Sequence, residues 1–335
     1  MGRMSPAYLP DLTWGSFPSA WQLDVPALLL VLVLGGLYGW GVVRLHRRGE
    51  HWPVARTAVF ALLGLGTIVS ATMSALAVYD EVLFWPAAVQ NILLDLIAPL
   101  GLALGDPLAL ACRALPGRAS VRVRRAMTGR FARVLAFPLV SSVLVLVSEL
   151  CVYFTPYFET ALRHGALHQL MYLQLLLVGS LFVLPVLTQE ELLPRWCSHP
   201  VRAAMVFLDG LIDAVPGIVV MTSSTLVAGT WYAQHAPPWA PAVQADQQLG
   251  GGAMITIAEL VGVPFLLVIF VQWVRAERTR TAALDRRLDA ELVRGAAATA
   301  PAAAGPAGAA EPDLVRPWWE NEGGVIGDRM RRERP

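Results

Sequence analysis

The chain has no lysine, only three cysteines and little charge of either sign. All 26 basic residues among its 335 are arginines, and charged residues make up 15% of the total. Soluble domains carry about 25%, so the deficit excludes an ordinary water-soluble domain. Cys112, Cys151 and Cys197 are widely spaced and form no CxxC or CxxxC pair. That argues against a thiolate copper site or a zinc cluster, and the three read as small buried hydrophobes. No HExxH run, glycine-rich phosphate loop or Ser-His-Asp arrangement is present. Without a nucleophile constellation, the expectation is a protein that is not an enzyme. There is also no internal repeat of the kind that many transporters carry.

What the sequence does have is long apolar runs. Hydrophobic residues amount to 56%. A helix crossing the hydrocarbon needs about 20 apolar residues. Seven stretches qualify, at 25–43, 55–78, 83–104, 132–154, 167–187, 203–228 and 253–274. The predicted fold is therefore all-α, a seven-transmembrane helix bundle in the cell membrane. The first run lacks a basic leader and is followed by the arginine-rich stretch after Val43, so it is expected to remain as a span. Segment 44–56 holds four arginines, 113–133 seven, 188–202 two and the region from 275 eleven; the opposite side has only Arg3 and Arg163. The positive-inside rule then predicts an N-terminus outside and a C-terminus in the cytoplasm. The basic segment 113–133 reads as a topology signal in contact with lipid headgroups, not as a nucleic-acid site.

The chain divides into four regions: an extracytoplasmic segment 1–24, a membrane domain 25–274, a charged helical extension 275–294, and 295–335. The last combines an Ala/Pro/Gly-rich linker with a tail containing Trp318, Trp319 and several arginines. Residues 229–252 are expected to form a Trp-, Pro- and Gln-rich loop, and Gly250, Gly251 and Gly252 to open the seventh span.

Ionisable side chains within spans are functional candidates because burying them in lipid is costly. They are Asp95, Glu149, His168, Asp209, Asp213 and Glu259. At about 1.5 Å per residue, Glu149, His168 and Glu259 fall in the outer third, Asp95 and Asp213 near the middle, and Asp209 towards the cytoplasm. Asn91 and Asp95 are four residues apart, as are Asp209 and Asp213, so each pair shares a helix face. Apart from Arg56 and Arg133, which stand at the very ends of two stretches, no arginine lies inside a span. Each acid must then be protonated, meet water, or sit beside a bound cation. Met73, Met171, Met221 and Met254 read as core residues rather than soft metal ligands.

Several segments carry a family signature. These are Val78-Tyr79-Asp80, Ala98-Pro99 with Leu104-Gly105-Asp106-Pro107-Leu108, Tyr153-Phe154-Thr155, Leu167-His168, Ser224-Thr225-Leu226, Trp231-Tyr232, Ala245-Asp246-Gln247-Gln248-Leu249 and Phe270-Val271-Gln272-Trp273. On them the chain resembles the CtaG-type cytochrome c oxidase assembly family of bacterial membrane proteins, over about residues 25–290. The resemblance implies seven spans, a terminal oxidase subunit or another assembly factor as partner, surrounding membrane lipids, and copper delivered through ligands on the outer helix halves. Carried onto this chain, the family's histidine-containing run in span three falls on Ala87 to Asn91, without histidine. His168 is kept, and Tyr172 and Gln174 stand at later histidine places. Asp213 replaces a histidine, and Glu259 keeps an acidic position. The resulting candidate metal set is His168, Asp213, Asn91, Asp95 and Glu259. Copper, especially Cu(I), favours imidazole and sulfur, whereas these are mostly oxygen donors. Two other readings stay open: a cation or proton pathway along Asp95, Asp209 and Asp213, and a scaffold whose polar residues only pack helices.

Overall fold

The structure is a computed structural model and describes residues 9–13, 15–129, 134–135, 137–187 and 199–299. The expected linker and tail, including Trp318 and Trp319, and most of segment 188–202 lie outside these residues.

The described residues are helical, without strands. In chain order the helices are α1 (Val25–Arg47), α2 (Val54–Tyr79), α3 (Phe84–Leu104), α4 (Pro107–Ala114), α5 (Gly117–Thr128), α6 (Pro138–Phe154), α7 (Tyr157–Arg163), α8 (Gly165–Leu187), α9 (His199–Thr222), α10 (Gly229–His235) and α11 (Val243–Thr299). Among the described residues six helices are long and apolar enough to cross a membrane. The number becomes seven when α6 and α7, bent by 64° at Thr155 and Pro156, count as one broken span. The predicted all-α, multi-span membrane protein is what the structure contains. The two ends of the bundle differ in sequence, one being poor in arginine and the other rich in it.

The element boundaries depart from the expected ones mainly at α11. Segment 229–252 is not one loop: it holds α10, and α11 already begins at Val243. Asp246 and Gln247 sit in that early turn, and their hydrogen bonds to other elements hold it. The helix runs without interruption to Thr299, past the expected boundary at 294. The chain divides into two compact units, Met1–Glu277 and Arg278–Pro335. In the second, residues 278–299 are helix, and the side chains of 278–292 are almost all exposed.

α3 lies at the centre of the first unit. It is the most buried of the spans, while α1 is largely exposed and shows Leu29, Leu32, Val33 and Leu37 outward. Helices in lipid associate through close packing of small residues rather than by a hydrophobic drive. α2 and α3 meet at Gly64 and Gly101, where a Cβ on Gly101 would stand 2.3 Å from the Gly64 nitrogen. α8 meets α3 at Gly179, where a Cβ would stand 1.7 Å from the Asp95 carbonyl oxygen. That carbonyl is special, because Pro99, four residues on, has no N–H to give it. The same stretch, Leu93–Ile97, winds as a π-helix, a form concentrated at functional sites. A second π turn, Phe60–Leu65, lies in α2.

At the arginine-rich end, Tyr38 stacks on Phe60 with ring centroids 3.9 Å apart. Such a pair adds about 0.5–1.5 kcal/mol beyond its burial. The Tyr38 hydroxyl donates to the Gly105 carbonyl at 2.8 Å and accepts from the Trp52 indole at 3.0 Å. Asp106 follows with φ +50°, a left-handed conformation. Its carboxylate caps α4 through the Ala109 N–H and pairs with Arg56 at 3.1 Å. The Gly-Asp-Pro turn is thus a helix stop, a cap and an ion pair in three residues.

Two of the three cysteines do not behave as expected, and Cys197 lies outside the described residues. Cys151 is exposed on α6 and Cys112 is only partly buried. A thiol tolerates an apolar surround, so an outward position on a lipid-facing helix suits it as well as a core. Met73, Met171 and Met254 are buried, as expected of core residues, and Met221 is partly so.

Candidate functional site

Two groups of buried polar side chains occupy the first unit. One lies at the arginine-poor end and is built around Asp80, in the turn between α2 and α3. The Tyr172 hydroxyl on α8 donates to the Asp80 carboxylate at 2.9 Å, and His168 Nε2 stands 3.6 Å from the same oxygen. The Tyr232 hydroxyl on α10 donates to the Asp80 backbone carbonyl at 2.9 Å, and the Trp231 indole donates to the Glu81 carbonyl at 2.8 Å. The turn is therefore held from α8 and α10 together.

Asp246 completes this junction from α11. Its carboxylate accepts from the backbone N–H groups of Phe84 at 2.5 Å and Trp85 at 3.2 Å, the first residues of α3. The first N–H groups of a helix have no partner in their own helix, and a carboxylate there also meets the positive end of the helix dipole. A residue on one helix thus caps another. Gln247 accepts from the Val227 N–H at 2.7 Å and donates to the carbonyls of Val220 at 3.0 Å and Thr225 at 3.2 Å, which fixes the chain where it leaves α9. Leu9 and Pro10 lie over this end. The Tyr79 hydroxyl donates to the Pro10 carbonyl and the Trp239 indole to that of Leu9.

The second group lies deeper, on α3, α6 and α9. Asn91 donates to the Tyr153 hydroxyl at 3.1 Å, and the Ser142 hydroxyl donates to Asp209. Asp95, Glu149, Asp209 and Asp213 stand close enough to repel one another, and Tyr153 feels both Glu149 and Asp95. Among the described residues five oxygens here are enclosed without a hydrogen-bond partner: Gln90 Oε1, Asn91 Oδ1, Asp95 Oδ1, Glu149 Oε2 and Asp213 Oδ1. All five are acceptors. Enclosed polar atoms are normally paired, and each exception asks for an explanation.

Residues 36–276 match the profile of the cytochrome c oxidase caa3 assembly factor family (Caa3_CtaG). The chain belongs to this family. It is 32% identical over 282 residues to uncharacterized proteins of Mycobacterium bovis and Mycobacterium tuberculosis, and 28% identical over 280 residues to one of Mycobacterium leprae. In each case the match covers 82% of this chain and 42% of the relative, so the chain spans less than half the length of the curated relatives it matches. No solved structure matches.

For a caa3 assembly factor family member, the placement of the sequence-predicted metal set is informative. Asn91 and Asp95 on α3 and Asp213 on α9 belong to the deep group. His168 belongs to the Asp80 group. Glu259 belongs to neither and is exposed on α11. Among the described residues no three His, Cys, Asp or Glu side chains are placed to hold one metal ion. Copper, the metal implied by the resemblance, does not fit the deep group either, because its open atoms are all oxygens, which Cu(I) disfavours. Glu149 and Asp209 stand out from the sequence as acids within spans. The Asp209–Asp213 pairing is legible from its spacing, but the meeting of Asp95, Glu149 and that pair is not, because it joins residues more than 50 positions apart.

Proposed function

We propose that this chain is a non-catalytic membrane factor in cytochrome c oxidase assembly, which receives an oxidase subunit or a fellow assembly factor within the bilayer. The observation that carries this reading is the family match, which runs through nearly the whole membrane unit. The exposed carboxylate of Glu259 supports it. Glu259 stands on α11 beside Leu260, Val263 and Leu267, which are 72%, 66% and 59% exposed. A carboxylate turned towards hydrocarbon is unfavourable. A neighbouring transmembrane helix that supplies a hydroxyl, amide or imidazole donor relieves it. The docking helix is therefore one with such a donor at matching depth. The oxygen-rich interior supports a role in holding a partner over one in carrying Cu(I) between the helices.

The test is photocrosslinking from position 259 in cells, with oxidase activity measured in a deletion strain. Crosslinks to an oxidase subunit or to another assembly protein, with reduced oxidase activity on deletion, are expected. Crosslinks to lipid alone together with full oxidase activity would remove the proposal.

A further inference from the structure

We propose that Asp95, Glu149, Asp209 and Asp213 form an exchangeable proton-binding site in the interior of the membrane unit. The four carboxylates neighbour one another on α3, α6 and α9, and among the described residues none of them forms an ion pair with an arginine or histidine. Ionised carboxylates cannot gather in a low-dielectric interior without compensating charge. That charge is either a metal cation or protons. A metal needs several ligands around one point, and among the described residues no three acidic or histidine side chains are placed to hold one. Protons need only neighbouring oxygens, and the cluster has enclosed acceptor oxygens on Asp95, Glu149 and Asp213 that lack any partner. Asp95, Glu149 and Asp209 are each no more than 5% exposed.

Proton movement within such a site is balanced without any co-reactant. When two of these carboxyl groups approach to hydrogen-bonding distance, an O–H bond on one acid breaks, the proton joins a carboxylate oxygen on the other, and the negative charge moves the opposite way. Asp213 is the least covered member, with one oxygen enclosed and the residue as a whole only partly buried, which makes it the point of entry. The titratable groups around the cluster are Tyr153 on α6, which Asn91 holds by a hydrogen bond, and beyond it Tyr232. Towards the arginine-poor end, Gln90 adjoins Tyr172, which leads to Asp80 and His168. Glu259 is exposed on α11. The π turn that carries Asp95 supports the assignment, since such turns gather at functional sites.

The test is infrared difference spectroscopy of the full chain in lipid nanodiscs, reading the carbonyl stretch of protonated carboxyl groups. At neutral pH the band is present. It falls as the buffer is made alkaline, and Asp95→Asn or Glu149→Gln reduces it, each variant being checked for folding by its helical circular dichroism. Asp213→Asn slows the response to a pH jump. Thermal stability is the same in sodium, potassium and calcium salts. A missing band, a band indifferent to buffer pH, a band unchanged in both folded variants, an unslowed response in Asp213→Asn, or stabilisation by one of these cations would overturn the proposal.

Discussion

The carboxylate of Asp246 caps the first turn of α3 at Phe84, 162 residues earlier in the chain. A side chain at the head of the last span thereby fixes the entry of the central one. Removing it in Asp246→Ala leaves buried N–H groups unpaired and should lower stability by about 1–2 kcal/mol. Asp246→Asn, still a good cap, should retain most of that. Unfolding midpoints in mild detergent measure the difference, and equal midpoints for the two variants would contradict the capping role.

The Gly179 contact is the most sensitive packing point in the unit. A methyl group there meets the Asp95 carbonyl, so Gly179→Ala should destabilise by about 1–3 kcal/mol through forced separation of α8 from α3. Gly36 on α1 has nothing within reach of a Cβ. Gly36→Ala should therefore be neutral or stabilising by up to about 1 kcal/mol. The same thermal assay on both variants separates packing from helix propensity.

Asp106 combines a left-handed backbone, a cap and an ion pair. Asp106→Asn keeps the first two, because asparagine tolerates that conformation and caps well. It should cost about 1 kcal/mol or less, the worth of a partly exposed ion pair. Asp106→Ala loses all three and should cost about 2 kcal/mol or more. Comparable losses in the two variants would mean that the Arg56 pair outweighs the turn.

Metal binding has a direct check. Purified protein incubated with Cu(I) and desalted should retain less than one copper per chain, and chelator treatment should leave its unfolding midpoint unchanged. Tight stoichiometric copper that disappears in His168→Ala would show that the Asp80 junction rearranges into an imidazole site.

Much of the architecture is legible in the sequence because lipid imposes simple rules. Apolar length marks the spans, as with 83–104 against α3, and clustered arginines mark one end of the bundle. The acids within the spans are legible too, since they stand out against apolar neighbours. The roles of Asp80 and Asp246 are not, because a cap or a latch supplied by another helix leaves no local pattern. Asp246 reads as part of a loop for the same reason: the polar run Asp246-Gln247-Gln248 looks solvent-facing until its partners on α3 and α9 are seen. The meeting of Glu149, Asp95 and Asp213 depends on how three helices rotate about their axes, and hydropathy does not report rotation when every side is apolar.

The π turn at Leu93–Ile97 makes the length of α3 a setting of phase. One residue turns an α-helix by about 100°. Deleting a single leucine from this turn would restore a regular helix and swing everything before it, Gln90 and Asn91 included, out of register with everything after. A one-codon insertion or deletion here should therefore be worse tolerated than a conservative exchange of any side chain in the same stretch.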